Sequence, residues 1–467
     1  MPKLILIHGY SDHGESFNTW RDALGKEGYD LSAIHTCNYQ TLTNEVTLRD
    51  IAEGFDRALS VEVGLEPDEE FDVIVHSTGM LVIRAWLATY AGRRRRLNHL
   101  IALAPATFGS PLAHKGRSWL GAIFKGNKVL GPDFLEAGDC ILDGLELGGK
   151  FTWDLAHIDL LGEKQCYGPN ADTPYVFIFC GLSPYGGLAR FVSDPGTDGT
   201  VRWAGCPLNT RKIVVDLTKR RADRKDDIDM PGRIWATPWS NIDIPLVPVK
   251  DRDHGSILTD PPSELVSMVR SALAVSTRDE WAAWHSMDIV RHAVNNLTPG
   301  GEVGQWQQFV VRATDERGDP ITDYYLEIGY LENDEFEKID AFDADVHTYS
   351  GDKSFRCFHM NLNGFNKDDH RDRWLRVVAS SGTKLVGYYG EGSDKLTTRG
   401  VVNPDGTWDA QIKLPSGIPV RGDGELTIDP FYPFTTTLVE LRLDREPLPL
   451  TGKNLVVNFL SYEQGEG

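Results

Sequence analysis

The chain has 467 residues, more than the roughly 250 to 300 residues that one hydrophobic core serves, so two domains are expected. Hydrophobic residues make up 41% of the chain and charged residues 25%, a composition that favours folded domains over disorder. The formal net charge of -20 and the pI of about 5.1 oppose binding to nucleic acids and to anionic bilayers.

The N-terminal residues MPKLILIHGY pass at once into a strand-like run, without the leader and cleavage site of a signal peptide. A cytoplasmic protein is therefore expected, although export by a leaderless route fits the same sequence. No apolar segment approaches the roughly 20 residues that span a bilayer, which predicts a soluble protein. The six cysteines lack metal-ligand spacing and are interpreted as free thiols, so no metal site is expected.

The first half of the chain alternates short β-branched runs with helix-like segments, a pattern that predicts crossover units and a mainly parallel sheet. The predicted strands are residues 4–9, 71–77, 97–105, 175–181 and about 245–250. Amphipathic spacing predicts helices near residues 46–60, 79–91, 261–275 and 281–294. The segment NLTPGGEVG that follows is predicted to be a linker.

The pattern changes at about residue 303 to short alternating runs separated by turn residues. These runs are WQQFVVRAT, YYLEIGY, WLRVVAS, KLVGYYG, TWDAQIKL and NLVVNFL. They predict an all-β sandwich. The predicted domains are therefore an α/β domain over residues 1–295 and a β-sandwich over residues 303–467.

Ser77 is the candidate nucleophile. It follows the predicted strand FDVIV, within the sequence His76-Ser77-Thr78-Gly79, and precedes a predicted helix, which is the context of a nucleophile elbow. Gly79 fills the second small position of the G-x-S-x-G motif, whereas Val75 stands where the motif has its first glycine. A serine in such a turn is also common as a simple polar turn residue, so the surrounding motifs decide between the two interpretations.

A second motif lies at the end of the first predicted strand, where His8 and Gly9 precede Tyr10. An acyl hydrolase needs two N–H donors for the oxyanion that forms during attack. The N–H groups of Tyr10 and of Thr78, the residue after the nucleophile, are the candidates. His8 is interpreted as a structural hydrogen-bonding residue rather than a base.

The candidate base is His254, which follows the last predicted strand of the first half and precedes a helix. Asp198 and Asp194 share a loop after the strand YVFIFCG, and either can present a carboxylate at the carboxyl edge of the sheet. A solvated loop aspartate is the alternative for both. Three other histidines have no comparable placement: His35, His114 and His157.

With these motifs, about residues 1–275 resemble a lipase of the α/β-hydrolase superfamily, near the bacterial and GPI-remodelling type with H-S-T-G at its elbow. LAPATFGSPLAH (103–114) is similar to the segment after the elbow, and TDGTVRWAG (197–205) is similar to the lipase acid loop, which favours Asp198 over Asp194. The chain order Ser77, Asp198, His254 matches the superfamily. Residues 142–161, within a possible insertion over 115–165, are consistent with a lid or equally with ordinary core packing.

The resemblance implies a serine carboxylic-ester hydrolase of lipase or phospholipase type, with an acyl-enzyme mechanism and no metal or organic cofactor. Its expected partners are an ester substrate and, transiently, a lipid interface; no nucleic acid is expected, and protein partners are not predicted. The alternative is a catalytically degenerate scaffold whose β-domain is a binding or docking module. A secreted antibacterial phospholipase effector is a further alternative. For the β-domain, stabilising or positioning the catalytic domain is preferred over ligand binding.

Overall fold

The structure is a computed structural model of the chain. It describes residues 2–10, 14–39, 44–90, 96–113, 139–170, 172–185, 194–218, 233–238, 244–295, 303–333, 335–342, 344–364, 371–389, 407–423, 425–447 and 456–457.

Within these ranges the helices are α1 (Asn18–Lys26), α2 (Leu48–Val61), α3 (Gly79–Thr89), α4 (Asp139–Leu145), α5 (Lys150–Asp159), α6 (Ser256–Thr259), α7 (Ser263–Ala272), α8 (Arg278–His285) and α9 (Asp288–Asn295). The strands of the first half are β1 (Lys3–Ile7), β2 (Ile34–Cys37), β3 (Phe71–His76), β4 (Leu97–Leu103), β5 (Tyr175–Gly181), β6 (Thr210–Asp216), β7 (Ile234–Ala236) and β8 (Leu246–Val249). The strands of the second half are β9 (Trp306–Asp315), β10 (Tyr324–Glu332), β11 (Glu335–Lys338), β12 (Val346–Thr348), β13 (Phe355–Asn361), β14 (Arg373–Ser380), β15 (Val386–Tyr389), β16 (Thr407–Lys413), β17 (Ile418–Pro419), β18 (Thr427–Ile428) and β19 (Thr436–Pro447).

The first sheet has the strand order β2-β1-β3-β4-β5-β8, and every pair in it is parallel. This confirms the predicted parallel sheet. Every residue of β3 is buried, as expected for a strand covered by helices on both faces. Parallel strands end at the same edge, so the segments after β1, β3, β5 and β8 meet there. The predicted functional residues all belong to these segments.

In the described residues, the second half of the chain contributes to a four-stranded antiparallel sheet, a seven-stranded mixed sheet and the small antiparallel pair β17-β18. One hydrophobic core joins the four-stranded and the seven-stranded sheet, with residues such as Val311 of β9 and Val377 of β14, which confirms the predicted β-sandwich. The mixed sheet also contains β6 and β7, because β19 pairs in parallel with both β9 and β6. The sequence pattern did not predict this pairing, and the domain boundaries at 295 and 303 stay a prediction.

Two predicted elements differ from the structure. The helix predicted over residues 281–294 is two helices, because 3-10-type hydrogen bonds from Ser286 to Ala283 and from Met287 to Trp284 end α8. In the predicted strand NLVVNFL, only Val456 and Val457 are described, in a bend. The predicted linker at 296–302 lies outside the described residues.

The segment predicted as a lid or as core packing is described from residue 139 onward, where α4 and α5 pack inside the molecule. Trp153 of α5 contacts Phe355 of β13 edge to face at 5.5 Å, and Ala156 lies in the same core cluster. Residues 142–161 therefore contribute to the core, while residues 114–138 lie outside the described residues. No helix of the described ranges is long and apolar enough to cross a membrane. All six cysteines are free thiols.

A fully buried ion pair holds α5 against α3, the helix that follows Ser77. Arg84 donates to both carboxylate oxygens of Asp159, at 2.8 and 2.9 Å, and also to the carbonyl oxygen of Thr107. The hydroxyl of Tyr167 donates to the same carboxylate at 2.6 Å. Neither charged side chain reaches solvent, so each depends on the other for compensation of its charge.

Replacing Asp159 with asparagine is expected to lower the free energy of unfolding by about 3 to 5 kcal/mol, because it leaves the charge of Arg84 buried without its partner. The matched control is Asp154→Asn on the same helix, whose exposed ion pair with Lys150 is worth less than about 0.5 kcal/mol. Urea unfolding at pH 7 measures both. Equal losses in the two variants would contradict the prediction.

Candidate active site

Ser77 lies on the sharp turn between β3 and α3. Its φ angle is +53°, a left-handed conformation that is rare for a residue with a side chain and that marks a strained turn. A Cβ on Gly79 would come within 2.7 Å of the carbonyl oxygen of Ile7, and one on Gly9 within 2.9 Å of Ser77 Cβ. Gly79 is thus required by the close approach of the Ile7 backbone, and Gly9 by that of the Ser77 side chain.

Val75, which departs from the glycine of the sequence motif, lies inside β3. It pairs with Ile7 of β1 and Ala102 of β4, and its side chain is fully buried. Its φ is not positive, and the turn begins only at Ser77. A β-branched residue therefore fits at this position without distorting the elbow.

His254 lies in the turn between β8 and α6, with its imidazole fully buried. Its Nε2 is 2.9 Å from Ser77 Oγ, and its backbone N–H donates to the carbonyl oxygen of Asp198 at 3.0 Å. The turn is fixed by Asp253, whose carboxylate accepts the N–H groups of Gly255 and Ser256 at 3.1 and 2.8 Å.

Asp198 completes the arrangement. Its Oδ2 is 2.8 Å from His254 Nδ1, and its Oδ1 accepts the N–H groups of Thr200 and Val201 at 3.0 and 2.8 Å. Because Nδ1 faces a carboxylate, we assign the imidazole proton to it, which leaves Nε2 free to accept from Ser77. The structure thus brings together the three side chains predicted from sequence, with Asp198 rather than Asp194 in contact with the histidine.

The candidate oxyanion donors follow neighbouring strands. Tyr10 comes directly after Gly9, which packs against Ser77, and Thr78 is the N-cap residue of α3. Amide groups at a helix N-terminus lack partners within the helix and can therefore bind an anion. His8 is buried and stacked on Tyr39 with ring centroids 4.3 Å apart, and its Nδ1 bonds to the carbonyl oxygen of Gly9 at 2.7 Å. These contacts fit the structural role predicted for His8.

Cys180 is a contact of the site that the sequence analysis missed. Its thiol donates to Asp198 Oδ2 at 3.6 Å, and its sulfur lies 3.5 Å from that of Cys206. Burial, together with the neighbouring Cys206 and Asp198, raises the pKa of the Cys180 thiol well above its ordinary value. The thiol therefore stays protonated and contributes a weak hydrogen bond to the carboxylate.

His76 is a second missed residue. Its Nε2 lies 2.9 Å from the carbonyl oxygen of His254, to which it must donate, so its Nδ1 carries no proton. The two imidazole centroids are 4.8 Å apart. Burial, with a smaller effect of the neighbouring His254, lowers the pKa of His76 to about 3. His76 is therefore a neutral donor that ties the end of β3 to the His254 turn.

The low pKa of His76 predicts a loss of stability in acid. Between pH 6.5 and about 3 the unfolded chain binds a proton at this residue and the folded chain does not, so the folded state loses stability as pH falls below 6.5. At pH 5 the loss is about 2 kcal/mol. The free energy of unfolding is measured with urea at pH 7 and at pH 5. Its decrease between the two pH values should be smaller by this amount in His76→Asn than in the wild type. The exposed His292→Asn is the control, and identical pH effects in His76→Asn and the wild type would refute the assignment.

Comparison with known proteins supports the fold. No protein-family model matches the chain, and no curated protein matches it. Two solved structures of phospholipase PlaB from Legionella pneumophila are similar, each with 21% sequence identity. One has a TM-score of 0.72 and covers 99% of this chain and 98% of its own chain. The other, in complex with thio-NAD, has a TM-score of 0.71 and covers 95% and 94%. Together with the parallel sheet and the serine elbow, this similarity shows that the chain has the α/β-hydrolase fold, joined to a β-sandwich.

Proposed function

We propose that the chain is a serine carboxylic-ester hydrolase in which Ser77, His254 and Asp198 form a catalytic triad. The observation that supports this best is the unbroken hydrogen-bonded path from Ser77 Oγ to His254 Nε2, at 2.9 Å, and from His254 Nδ1 to Asp198 Oδ2, at 2.8 Å. This geometry is that of an activated serine, and it stands on a strained turn after a central strand.

In the proposed mechanism, Ser77 Oγ attacks the acyl carbonyl carbon while His254 Nε2 takes its proton. Asp198 keeps the proton on Nδ1 and stabilises the imidazolium. The amides of Tyr10 and Thr78 receive the oxyanion. The C–O bond of the ester then breaks, and the alcohol leaves with the proton from His254. Water repeats the same steps on the acyl-enzyme, which releases the carboxylic acid and restores Ser77.

The proposed substrates are lipid esters, in the manner of a lipase or phospholipase, encountered in transient contact with a lipid interface. The support is the similarity along almost the whole chain to a protein described as a phospholipase. The path from Ser77 to Asp198 disfavours a catalytically degenerate scaffold, because a chain that had lost activity has no need to keep this geometry.

Two measurements test the proposal. A fluorophosphonate probe should label the wild-type protein and not Ser77→Ala. Absence of labelling in the wild type would instead favour the binding-module alternative. In a substrate series of p-nitrophenyl acetate, butyrate and palmitate, together with phosphatidylcholine vesicles, the long-chain ester and the phospholipid should be cleaved. Cleavage limited to acetate and butyrate would remove the lipid part of the proposal and leave the esterase part.

A further inference from the structure

The loop that carries Asp198 is a tight hairpin whose two sides are joined by backbone contacts. Thr197 and Arg202 form a β-bridge, and the N–H of Trp203 donates to the carbonyl oxygen of Gly196 at 2.9 Å. Within this hairpin, the N–H of Asp198 donates to the carbonyl oxygen of Val201 at 3.2 Å. The carboxylate that contacts His254 is therefore four residues from Arg202 in a closed loop, and its position depends on where Arg202 is held.

Arg202 is held by the C-terminal half of the chain. Its side chain is about 1% exposed, and its Nη2 donates to Asp345 Oδ1 at 2.5 Å. Its Nη1 donates to the sulfur of Cys357, on β13, at 3.4 Å. Asp345 immediately precedes β12 of the same sheet. A cation in the acid loop of the hydrolase part thus has its counter-ion in the β-sandwich, 143 residues further along the chain.

Asp345 is itself oriented by a buried histidine. His359 Nδ1 donates to Asp345 Oδ2 at 3.2 Å, and the His359 ring stacks on Trp306 with centroids 4.4 Å apart. Burial, together with the charge of Arg202, lowers the pKa of His359 to about 4, so the ring is neutral and acts as a fixed donor. Burial disfavours the charged form of Asp345, but the bond from His359 and the charge of Arg202 leave its pKa below the ordinary value.

The stacked rings of Trp306 and His359 also pack directly against the hairpin. Gly196 has a φ of +74°, and a Cβ there would lie 2.5 Å from Cδ2 of Trp306 and 2.8 Å from Cε1 of His359. A Cβ on Gly205, past the other end of the hairpin, would lie 2.9 Å from Gln308 Nε2. The sandwich therefore supports the loop by direct packing at both ends and by the ion pair between them.

We propose that Asp345 is a positioning residue for the triad: through Arg202 it holds the hairpin so that Asp198 faces His254, and the β-sandwich thereby completes the active site. This inference rests on the proposed ester hydrolase function. Asp345 does not touch substrate or the reacting atoms, and it acts on catalysis only through the geometry of the acid loop. Misplacement of a catalytic group by about 1 Å costs on the order of 100-fold in rate.

The experiment uses the full chain carrying Asp345→Asn. We expect kcat for p-nitrophenyl ester hydrolysis to fall on the order of 10- to 100-fold with KM unchanged, since the loop orients the acid and does not bind substrate. The low-field proton NMR resonance of His254 Nδ1–H should be lost or shifted. The matched control is Glu440→Gln, which breaks the ion pair between Lys212 of β6 and Glu440 of β19 at 2.9 Å in the same sheet. It should keep both the rate and the resonance.

A second variant separates positioning from instability. Arg202→Met combined with Asp345→Leu removes both charges, which avoids an uncompensated buried cation. If positioning is the role, this double variant folds but keeps the reduced kcat, because two apolar side chains do not fix the loop. Recovery of full kcat in the double variant, or wild-type kcat and resonance in Asp345→Asn, would overturn the inference. Absence of esterase activity in the wild type would instead refute the proposed function.

Discussion

Replacing Ser77 with alanine is expected to lower kcat for ester hydrolysis on the order of 10⁶-fold, because it removes the proposed nucleophile and with it the proposed acyl-enzyme route. The fold should survive, since the substitution removes only the hydroxyl that bonds to His254 and keeps the buried Cβ that packs against Gly9. Initial rates on a p-nitrophenyl ester, with the folded state checked by circular dichroism, measure the effect.

The control for this substitution is Ser271→Ala. The Ser271 hydroxyl donates to the carbonyl oxygen of Met268 within α7 and also contacts the indole N–H of Trp284, remote from the sheet edge that carries the site. The kcat of Ser271→Ala should equal that of the wild type. A Ser77→Ala protein that hydrolyses the ester at a rate near that of the control would show that another residue is the nucleophile.

Replacing Asp198 with asparagine is expected to lower kcat on the order of 10⁴-fold. An asparagine that presents its amide to His254 Nδ1 favours the tautomer with the proton on Nε2, and that nitrogen then cannot accept the proton of Ser77. The amides of Thr200 and Val201 still have an oxygen to bond to, so the loop should keep its shape. Steady-state kinetics on one ester at pH 8 provides the measurement.

Asp194→Asn is the matched control, because Asp194 belongs to the same loop and was the rival acid in the sequence. Its backbone carbonyl oxygen accepts the hydroxyl of Thr197 at 2.7 Å, a contact that the substitution leaves in place. Activity close to wild type is expected. A greater loss of kcat in Asp194→Asn than in Asp198→Asn would reverse the assignment of the acid.

The parallel sheet was predictable because its strands are continuous apolar runs. The predicted strand 175–181 coincides with β5, and the strand predicted over 71–77 differs from β3 by one residue. In contrast, β2 has four residues and includes a histidine and a threonine, so it gave no apolar run. The long strand β19 was not recognised, and its pairing with β6 joins residues more than 200 positions apart, a distance over which local patterns carry no information.

The contact between Ser77 and His254 was predictable, because chain order and local motif suffice to bring these two candidate residues together. Residues that support it through tertiary contacts had no such pattern. His76 is adjacent to Ser77, so the sequence indicated that it lies near the site. Its bond to the His254 carbonyl oxygen depends on the fold and was not predictable. Asp345 lies in a bend between Ala344 and Val346 with no motif around it, and only the structure brings it to Arg202. Val75 departs from the first glycine of the G-x-S-x-G motif, but the φ angle at this position is not positive, so the turn does not require a glycine there.

The position of β19 between β9 and β6 has a consequence for synthesis of the chain on the ribosome. After β6 emerges, about 220 further residues must be made before the first residue of its partner exists, which takes roughly 10 to 40 s at about 5 to 20 residues per second. During that interval β7, with three residues, is the one described strand beside β6, and the other edge of β6 is open to pairing with other nascent chains. Low temperature or co-expressed chaperones should therefore raise the soluble yield of this protein, whereas expression of its first half alone should favour aggregation.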